Sequence, residues 1–121
     1  MKSINVSLVG VGGQGIILTA NLLADESEVM NSDKPVMMDF YADWCGPCRM
    51  MMPVVKEMAN EYDGRIKVGK VNTDEQQELA AKFGVMSIPS FFFIKDGKIV
   101  DKAIGGMPKD VLESKLDALL A

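Results

Sequence analysis

Short apolar runs alternate with amphipathic stretches along the chain, and this pattern predicts strands alternating with helices. Apolar, β-branched or aromatic runs bounded by glycine, proline or charged residues are typical of buried strands. Five such runs are predicted as strands, at residues 4–9, 36–41, 66–71, 90–94 and 99–103. Four stretches are predicted as helices, at residues 14–24, 47–62, 73–83 and 108–120. This order predicts an α/β fold with a mixed central sheet and helices on both faces.

Local signals set several of these boundaries. Residues 47–62 carry apolar side chains at helical spacing, namely Met51, Val54, Val55, Met58, Ala59 and Tyr62. Pro53 inside this stretch predicts a kink. Residues 73–76 read Thr-Asp-Glu-Gln, a capping-box pattern that predicts a helix start. Asp96-Gly97 between two strand-like runs predicts a hairpin, because a tight primed turn needs positive φ.

Length and charge exclude several classes of function. The chain has 121 residues and a net charge of −4, which indicates one domain and offers no basic surface for nucleic acid or anionic membranes. No apolar run reaches the roughly 18 to 20 residues of a membrane span. The apolar stretch after Lys2 is broken by polar residues and glycines, unlike a signal peptide. We therefore expect a cytoplasmic protein that binds neither membrane nor nucleic acid.

The absence of histidine narrows the chemistry further. It excludes serine–histidine hydrolysis and histidine-based zinc sites. The two cysteines cannot supply the four ligands of a structural zinc site within one chain, nor the disulfide density of a small secreted scaffold. We expect no bound metal, and any chemistry must use the cysteine pair or the carboxylates.

Residues 44–48 read Trp-Cys-Gly-Pro-Cys and join a predicted buried strand to a predicted helix. Cys45 then falls at a helix N-terminus, where free N–H groups and the helix dipole favour a thiolate. Pro47 is tolerated in the first turn because its missing N–H would be unpaired there. The motif predicts a reversible dithiol/disulfide couple. A pair of buried cysteines, or half of a zinc site completed by a second chain, are the alternatives.

From about residue 25 to residue 121 the chain resembles the thioredoxin family. The resemblance rests on the cysteine motif and its surroundings, namely residues 36–42, Arg49, Met50, Pro53, residues 87–90, Gly105 and Gly106. It implies the thioredoxin fold and a protein-disulfide reductase in cell redox homeostasis, without a bound cofactor. The implied partners are disulfide-containing proteins and a thioredoxin reductase, and we expect a monomer. A disulfide oxidase or isomerase, or a redox-sensing binding module, would use the same fold.

The resemblance also assigns catalytic roles. Cys45 would attack the substrate disulfide, and Cys48 would resolve the mixed disulfide. Asp39 would exchange a proton with Cys48, Lys70 would lie near Asp39, and Pro89 would form a cis peptide bond facing the cysteines. Without the neighbouring cysteines, Asp39 would be interpreted as a capped or paired structural aspartate, because a lone buried carboxylate is costly. Lys70 alone indicates a solvated position at a sheet edge.

Further residues are implied to shape the contact with substrate. They are the active-site loop residues Trp44, Gly46 and Pro47, and the substrate-binding residues Trp44, Thr73, Ile88, Pro89, Ile104 and Gly105. Two positions depart from the family pattern. Tyr41 stands where many relatives have a second tryptophan, and Thr73 replaces a residue that is usually apolar. Phe91, Phe92 and Phe93 are predicted as core.

The first 24 residues are atypical. Residues 10–15 read Gly-Val-Gly-Gly-Gln-Gly, which matches G-x-G-x-x-G, and Asp39 follows at the distance of a ribose-binding acid, so a dinucleotide site is one alternative. The segment also resembles the start of the gamma-type domain of 2-oxoacid:ferredoxin oxidoreductases. The favoured interpretation is the first strand, a tight turn and the first helix of one domain spanning residues 1–121, in which residues 25–121 match the family.

Overall fold

A computed structural model describes residues 32–121 in full and, nearer the amino terminus, the backbone of two strands at residues 3–9 and 15–21. These residues form six strands and three helices. The strands are β1 (Ser3–Val9), β2 (Gly15–Asn21), β3 (Val36–Tyr41), β4 (Lys67–Asn72), β5 (Ser90–Lys95) and β6 (Lys98–Ile104). The helices are α1 (Gly46–Glu61), α2 (Gln77–Lys82) and α3 (Lys109–Leu120). The sheet order is β2-β1-β4-β3-β5-β6, in which β3 and β4 are parallel and the other neighbours antiparallel.

The central strands bury both faces of the sheet, as the continuous apolar runs predict. Because side chains alternate along a strand, Met37, Val68, Phe91 and Phe93 point to the side covered by α1 and α3. The intervening residues Met38, Phe40, Phe92 and Ile94 pack with α2 on the other side. The predicted mixed sheet with helices on both faces is confirmed, and all three consecutive phenylalanines belong to the core.

Helix α1 buries the predicted face, with Met51, Val55, Met58 and Ala59 against the sheet. It continues as one helix through Pro53. Tyr62 ends the helix, and its buried side chain donates a hydrogen bond to Asp117 of α3. This bond ties together the two helices that cover one face.

Helix α2 begins later than the capping-box pattern predicts. The helix starts at Gln77, and no side chain caps it. Thr73 instead turns back toward β3, since both its N–H and its hydroxyl donate to the Tyr41 carbonyl, at 2.8 and 3.1 Å. The side chain of Asn72 accepts from the N–H of Asp74. The predicted capping box is therefore wrong, because hydrogen bonds to β3 and Asn72 take its place.

The predicted hairpin joins β5 to β6. Asp96 and Gly97 have φ of 52° and 75°, as a primed two-residue turn requires. The pairing shifts once along the hairpin: Phe93 lies opposite Asp101 and Ile94 opposite Ile99, which leaves Val100 as an extra residue. This is a β-bulge in β6, the last strand at this end of the sheet.

The amino-terminal element after the glycine-rich sequence is a strand and not the predicted helix. β2 pairs with β1 along its whole length, and β1 also pairs with β4. Ile16, Ile17 and Thr19 are β-branched residues that favour a strand once a partner is present. The predicted turn at residues 10–14 and the end of the predicted helix at 22–24 lie outside the described residues.

Within the described part of the chain, no helix combines the length and the apolar character that a membrane crossing requires.

Candidate active site

The two cysteines lie at the N-terminus of α1 and form a disulfide, with Cα atoms 5.2 Å apart. Cys45 is the N-cap residue, and its Sγ accepts a hydrogen bond of 3.2 Å from the N–H of Cys48. Gly46 and Pro47 form the first turn between them, as predicted. A helix N-terminus presents unpaired N–H groups and positive potential, so it stabilises a thiolate at Cys45 once the disulfide is reduced.

The loop before β5 covers this disulfide. The Ile88–Pro89 peptide bond is cis, as the resemblance implies. The Ile88 carbonyl oxygen lies 3.9 Å from Cys45 Sγ, and the Ile88 side chain packs against the cluster of Ala42, Cys45 and Cys48. The N–H of Gly105 donates to the Pro89 carbonyl at 2.8 Å, and Gly105 has φ of 93°. The turn after β6 therefore holds the cis-proline loop against the cysteines.

A groove of about 480 Å³ opens beside Cys45. Its lining residues come from the active-site loop, from the start and end of the β4–β5 connection and from α2: Trp44, Cys45, Gly46, Pro47, Thr73, Ala80, Val85, Met86, Ser87 and Ile88. Trp44, Thr73 and Ile88 are among the predicted substrate-binding residues. Ile104 and Gly105 lie beside Pro89 instead of in the groove wall.

Two residues at this site were not predicted from the sequence. Asp74 accepts a hydrogen bond of 2.8 Å from the Trp44 indole N–H, and the Trp44 side chain remains 68% exposed. Met86 lines the groove and is 97% exposed. An aspartate two residues after Asn72, at the end of a strand, and an apolar residue next to the Ser87-Ile88-Pro89 motif were the available signals.

Asp39 lies on β3 beneath α1. It shares the face of Met37, and its neighbours across the sheet are Lys70 and Phe91. The side chain is 2% exposed, and its Oδ1 has no hydrogen-bond partner among the described residues. Burial raises the pKa of Asp39 from 3.8 to about 7, while the charge of Lys70 opposes this rise. Asp39 can therefore hold or release a proton near neutral pH.

Lys70 does not occupy the sheet edge that its sequence position alone indicates. β4 lies between β1 and β3, and Lys70 is half-buried beside Asp39. Burial lowers the pKa of Lys70, and the carboxylates of Asp39 and Asp43 oppose this effect. The Lys70 ammonium lies 4.6 Å from the centre of the Tyr41 ring, within the range of a cation–π contact.

The dinucleotide alternative does not fit this fold. A G-x-G-x-x-G site needs a helix to open at the glycines, and Gly15–Asn21 is a strand. Asp39, the proposed ribose ligand, is enclosed by the sheet and α1. The glycines at residues 10–14 lie outside the described residues. Within the described ranges, no cluster of three cysteine, aspartate or glutamate residues could hold a metal ion.

Comparisons with known proteins agree on one family. The family model described as Thioredoxin matches residues 18–118. The chain is 50% identical over 92 residues to Thioredoxin 1 of Nostoc sp., covering 76% of this chain and 86% of that protein. It is 49% identical over 96 residues to a thioredoxin of Porphyra purpurea, covering 79% of this chain and 90% of that protein. It is 48% identical over 89 residues to the chloroplastic M-type thioredoxin of Pisum sativum, covering 74% of this chain and 52% of that protein.

Proposed function

Because the chain belongs to the thioredoxin family and is a thiol–disulfide oxidoreductase, we propose that Cys45 is its attacking thiol and Cys48 its resolving thiol. The observation that carries this assignment is the asymmetry of the pair at the N-terminus of α1. Cys45 lines the groove and its Sγ accepts the hydrogen bond from the N–H of Cys48. Both features favour a substrate-accessible thiolate at Cys45.

The exchange proceeds in two steps. The Cys45 thiolate attacks one sulfur of a substrate disulfide, so that a Cys45–substrate bond forms, the substrate bond breaks and the departing thiolate takes up a proton. Cys48 then loses its proton, and its thiolate attacks Cys45 Sγ. This forms the Cys45–Cys48 disulfide and releases the second substrate thiol. The substrate gains two electrons, the protein loses two, and a reductase must return the protein to its dithiol form.

Asp39 is proposed to accept the proton that Cys48 loses in the second step. A buried carboxyl with a pKa of about 7 exchanges protons without a large free-energy penalty at neutral pH. Its position beneath α1, with an unpartnered Oδ1, supports this role. Lys70 favours the charged form of Asp39 by Coulomb attraction, so the carboxyl is available in its unprotonated form to accept this proton near neutral pH.

Substrate is proposed to bind as an extended segment over the groove and the cis-proline loop. Trp44 and Ile88 would supply apolar contacts beside Cys45, and Thr73 lines the same groove. Pro89, Ile104 and Gly105 continue this surface on the far side of the loop. Gly46 and Pro47 line the groove next to Cys45, so they would also contact a bound segment.

The broader proposals concern the whole chain. We infer that residues 1–121 form one domain, because β1 pairs with β4 of the same sheet as the active site. We also propose a monomeric, cytoplasmic protein that needs no bound cofactor, since the cysteine pair carries the electrons. Its proposed partners are disulfide-containing proteins and a thioredoxin reductase. Sedimentation at several concentrations and an assay with purified reductase test the monomer and the electron donor.

Matched serine variants test the order of attack. The reduced Cys48→Ser and Cys45→Ser proteins are mixed with 5,5′-dithiobis(2-nitrobenzoate), and the adduct is followed by absorbance and intact mass. At pH 6, below the pKa of an ordinary thiol, we expect Cys48→Ser to form a stable adduct at Cys45 rapidly and Cys45→Ser to react much more slowly. Faster reaction of the Cys45→Ser protein would reverse the assignment.

The reduction potential tests the direction of the activity. We expect a two-electron transition near the value of about −270 mV that characterises thioredoxins, measured by Trp44 fluorescence in graded dithiothreitol buffers. A potential above about −180 mV would place the protein with disulfide oxidases or isomerases.

A further inference from the structure

Tyr41 lies between the cysteine cluster and the Lys70 ammonium. It is the last residue of β3, two positions after Asp39, so both side chains point to the face under α1. The Tyr41 side chain packs against the cluster of Ala42, Cys45 and Cys48. The Lys70 Nζ lies 4.6 Å from the centre of the same ring. One side chain therefore contacts the disulfide cluster and the cation that neighbours Asp39.

A lysine ammonium group stays at a fixed position only if other groups contact it. Its four-carbon stem is flexible, and its ammonium group lacks the planar geometry that fixes an arginine. The charged groups around Lys70 act on its ammonium group from different directions. Asp39 on β3 and Asp43 in the following loop attract the ammonium, and Lys56 on α1 repels it. Without a further contact, the ammonium can move from Asp39 toward Asp43, which is exposed to solvent.

We propose that Tyr41 is a positioning residue whose ring holds the Lys70 ammonium beside Asp39 and thereby sets the proton affinity of that carboxyl. The inference rests on the proposed role of Asp39 as proton acceptor for Cys48. The aromatic face attracts the cation, and the packing of the ring against the cysteine cluster limits its movement. Tyr41 thus acts through Lys70 and does not react itself.

The ring, and not the hydroxyl, carries this effect. Burial and the nearby carboxylates of Asp43, Glu75 and Asp39 raise the pKa of Tyr41, while a hydrogen bond with the Asn72 side chain opposes the rise. The phenol therefore stays neutral at physiological pH and adds no charge near Lys70. A phenylalanine keeps the aromatic face and should keep the function, whereas leucine fills much of the volume without it.

The experiment follows the Asp39 carboxyl carbon by ¹³C NMR between pH 4 and 10 in oxidised protein, with the resonance assigned by Asp39→Asn. We expect Tyr41→Leu to raise the titration midpoint by up to about half a pH unit, because the strength of such a cation–π contact sets the upper limit of its effect on Asp39. Lys70→Met should raise it at least as much, and Tyr41→Phe should keep the wild-type midpoint. A midpoint unmoved in Tyr41→Leu or in Lys70→Met would overturn the proposal, and so would a Tyr41→Phe protein that behaves like Tyr41→Leu.

A measurement on the unaltered protein keeps the proposal testable if Tyr41→Leu does not fold. Protons above an aromatic ring shift upfield, so the ε-methylene protons of Lys70 should resonate upfield of an ordinary lysine. An ordinary lysine shift for these protons would overturn the proposal. The titration is read without turnover, so it is separate from the role of Asp39. That role fails if Asp39→Asn leaves the rate at which Cys48 resolves a mixed disulfide unchanged.

Discussion

The buried carboxyl of Asp39 makes the stability of the fold depend on pH, and Asp39→Asn should remove this dependence. The pKa of Asp39 is about 7 in the folded protein and 3.8 when it is solvated. Below pH 3.8 both states hold the proton, and the carboxyl causes no loss of stability. Between pH 3.8 and 7 the unfolded chain binds fewer protons than the folded one, so stability falls as pH rises. Above pH 7 the loss is complete.

The size of the effect follows from the shift in pKa. Each unit corresponds to 1.36 kcal/mol, so ionising Asp39 at high pH lowers the free energy of unfolding by about 4 kcal/mol. Asparagine has nearly the same shape and stays neutral. The Asp39→Asn protein should therefore be more stable than wild type by about 4 kcal/mol at pH 8.5, and the two should converge near pH 3.5.

Urea unfolding of the oxidised proteins, followed by far-ultraviolet circular dichroism from pH 3.5 to 8.5, measures this difference. Asp63→Asn is the matched control, because Asp63 is an exposed aspartate in the turn after α1. It removes a carboxyl from an exposed position, and we expect its free energy of unfolding to stay within about 0.5 kcal/mol of wild type. A stability difference for Asp39→Asn that stays constant with pH, or that grows toward acid, would refute the reasoning.

Three further substitutions test particular contacts. Asp74→Ala removes the hydrogen-bond partner of the Trp44 indole. It should raise the KM for a protein disulfide about two- to five-fold with little change in kcat, since one hydrogen bond to a charged group is lost at an exposed position. An unchanged KM in steady-state assays would show that this bond has no part in substrate binding. Tyr62→Phe removes the bond to Asp117 and should lower the free energy of unfolding in urea by about 1 kcal/mol, and a more stable variant would show that the bond contributes nothing. Gly97→Ala places a side chain at φ of 75° and should lower the free energy of unfolding by about 1 kcal/mol, measured as a lower Tm. An unchanged Tm would show that the turn relaxes to accommodate the side chain.

The spacing of apolar residues correctly predicted the elements whose buried faces pack in the core between the sheet and the helices. The buried face of α1 and the core positions of Phe91, Phe92 and Phe93 follow from the apolar pattern alone, because α1 packs on the sheet and helices cover both faces of β5. The hairpin at Asp96-Gly97 follows from the φ angles that few residues adopt. Such signals are local, and tertiary packing reinforces them.

The sequence-based predictions were wrong where a residue distant in sequence determines the local structure. Residues 15–21 contain helix formers as well as β-branched residues, and pairing with β1 selects the strand. Thr73 can cap a helix, yet it binds the Tyr41 carbonyl across the sheet.

For the candidate site, sequence motifs predicted the local features but not the contacts between distant residues. The cysteine motif placed Cys45 and Cys48 on the first turn of α1, and the family resemblance placed the cis bond before Pro89. The bond from Trp44 to Asp74 joins residues 30 positions apart, and half-buried Lys70 lies inside the sheet because β1 pairs with its strand. Neither relation has a local sequence signature.

The extra residue in β6 affects how copies of this protein meet. An outermost strand offers unpaired N–H and carbonyl groups, and β6 also exposes the apolar side chains of Ile99 and Val100. A regular edge strand with these exposed apolar side chains could pair with a strand of another molecule and extend the sheet. The bulge at Val100 bends the strand and interrupts the regular spacing of its outward groups, and the flanking Lys98 and Lys102 add like charges. We therefore expect the bulge and the two lysines to disfavour edge-to-edge pairing between copies of the protein in concentrated solution.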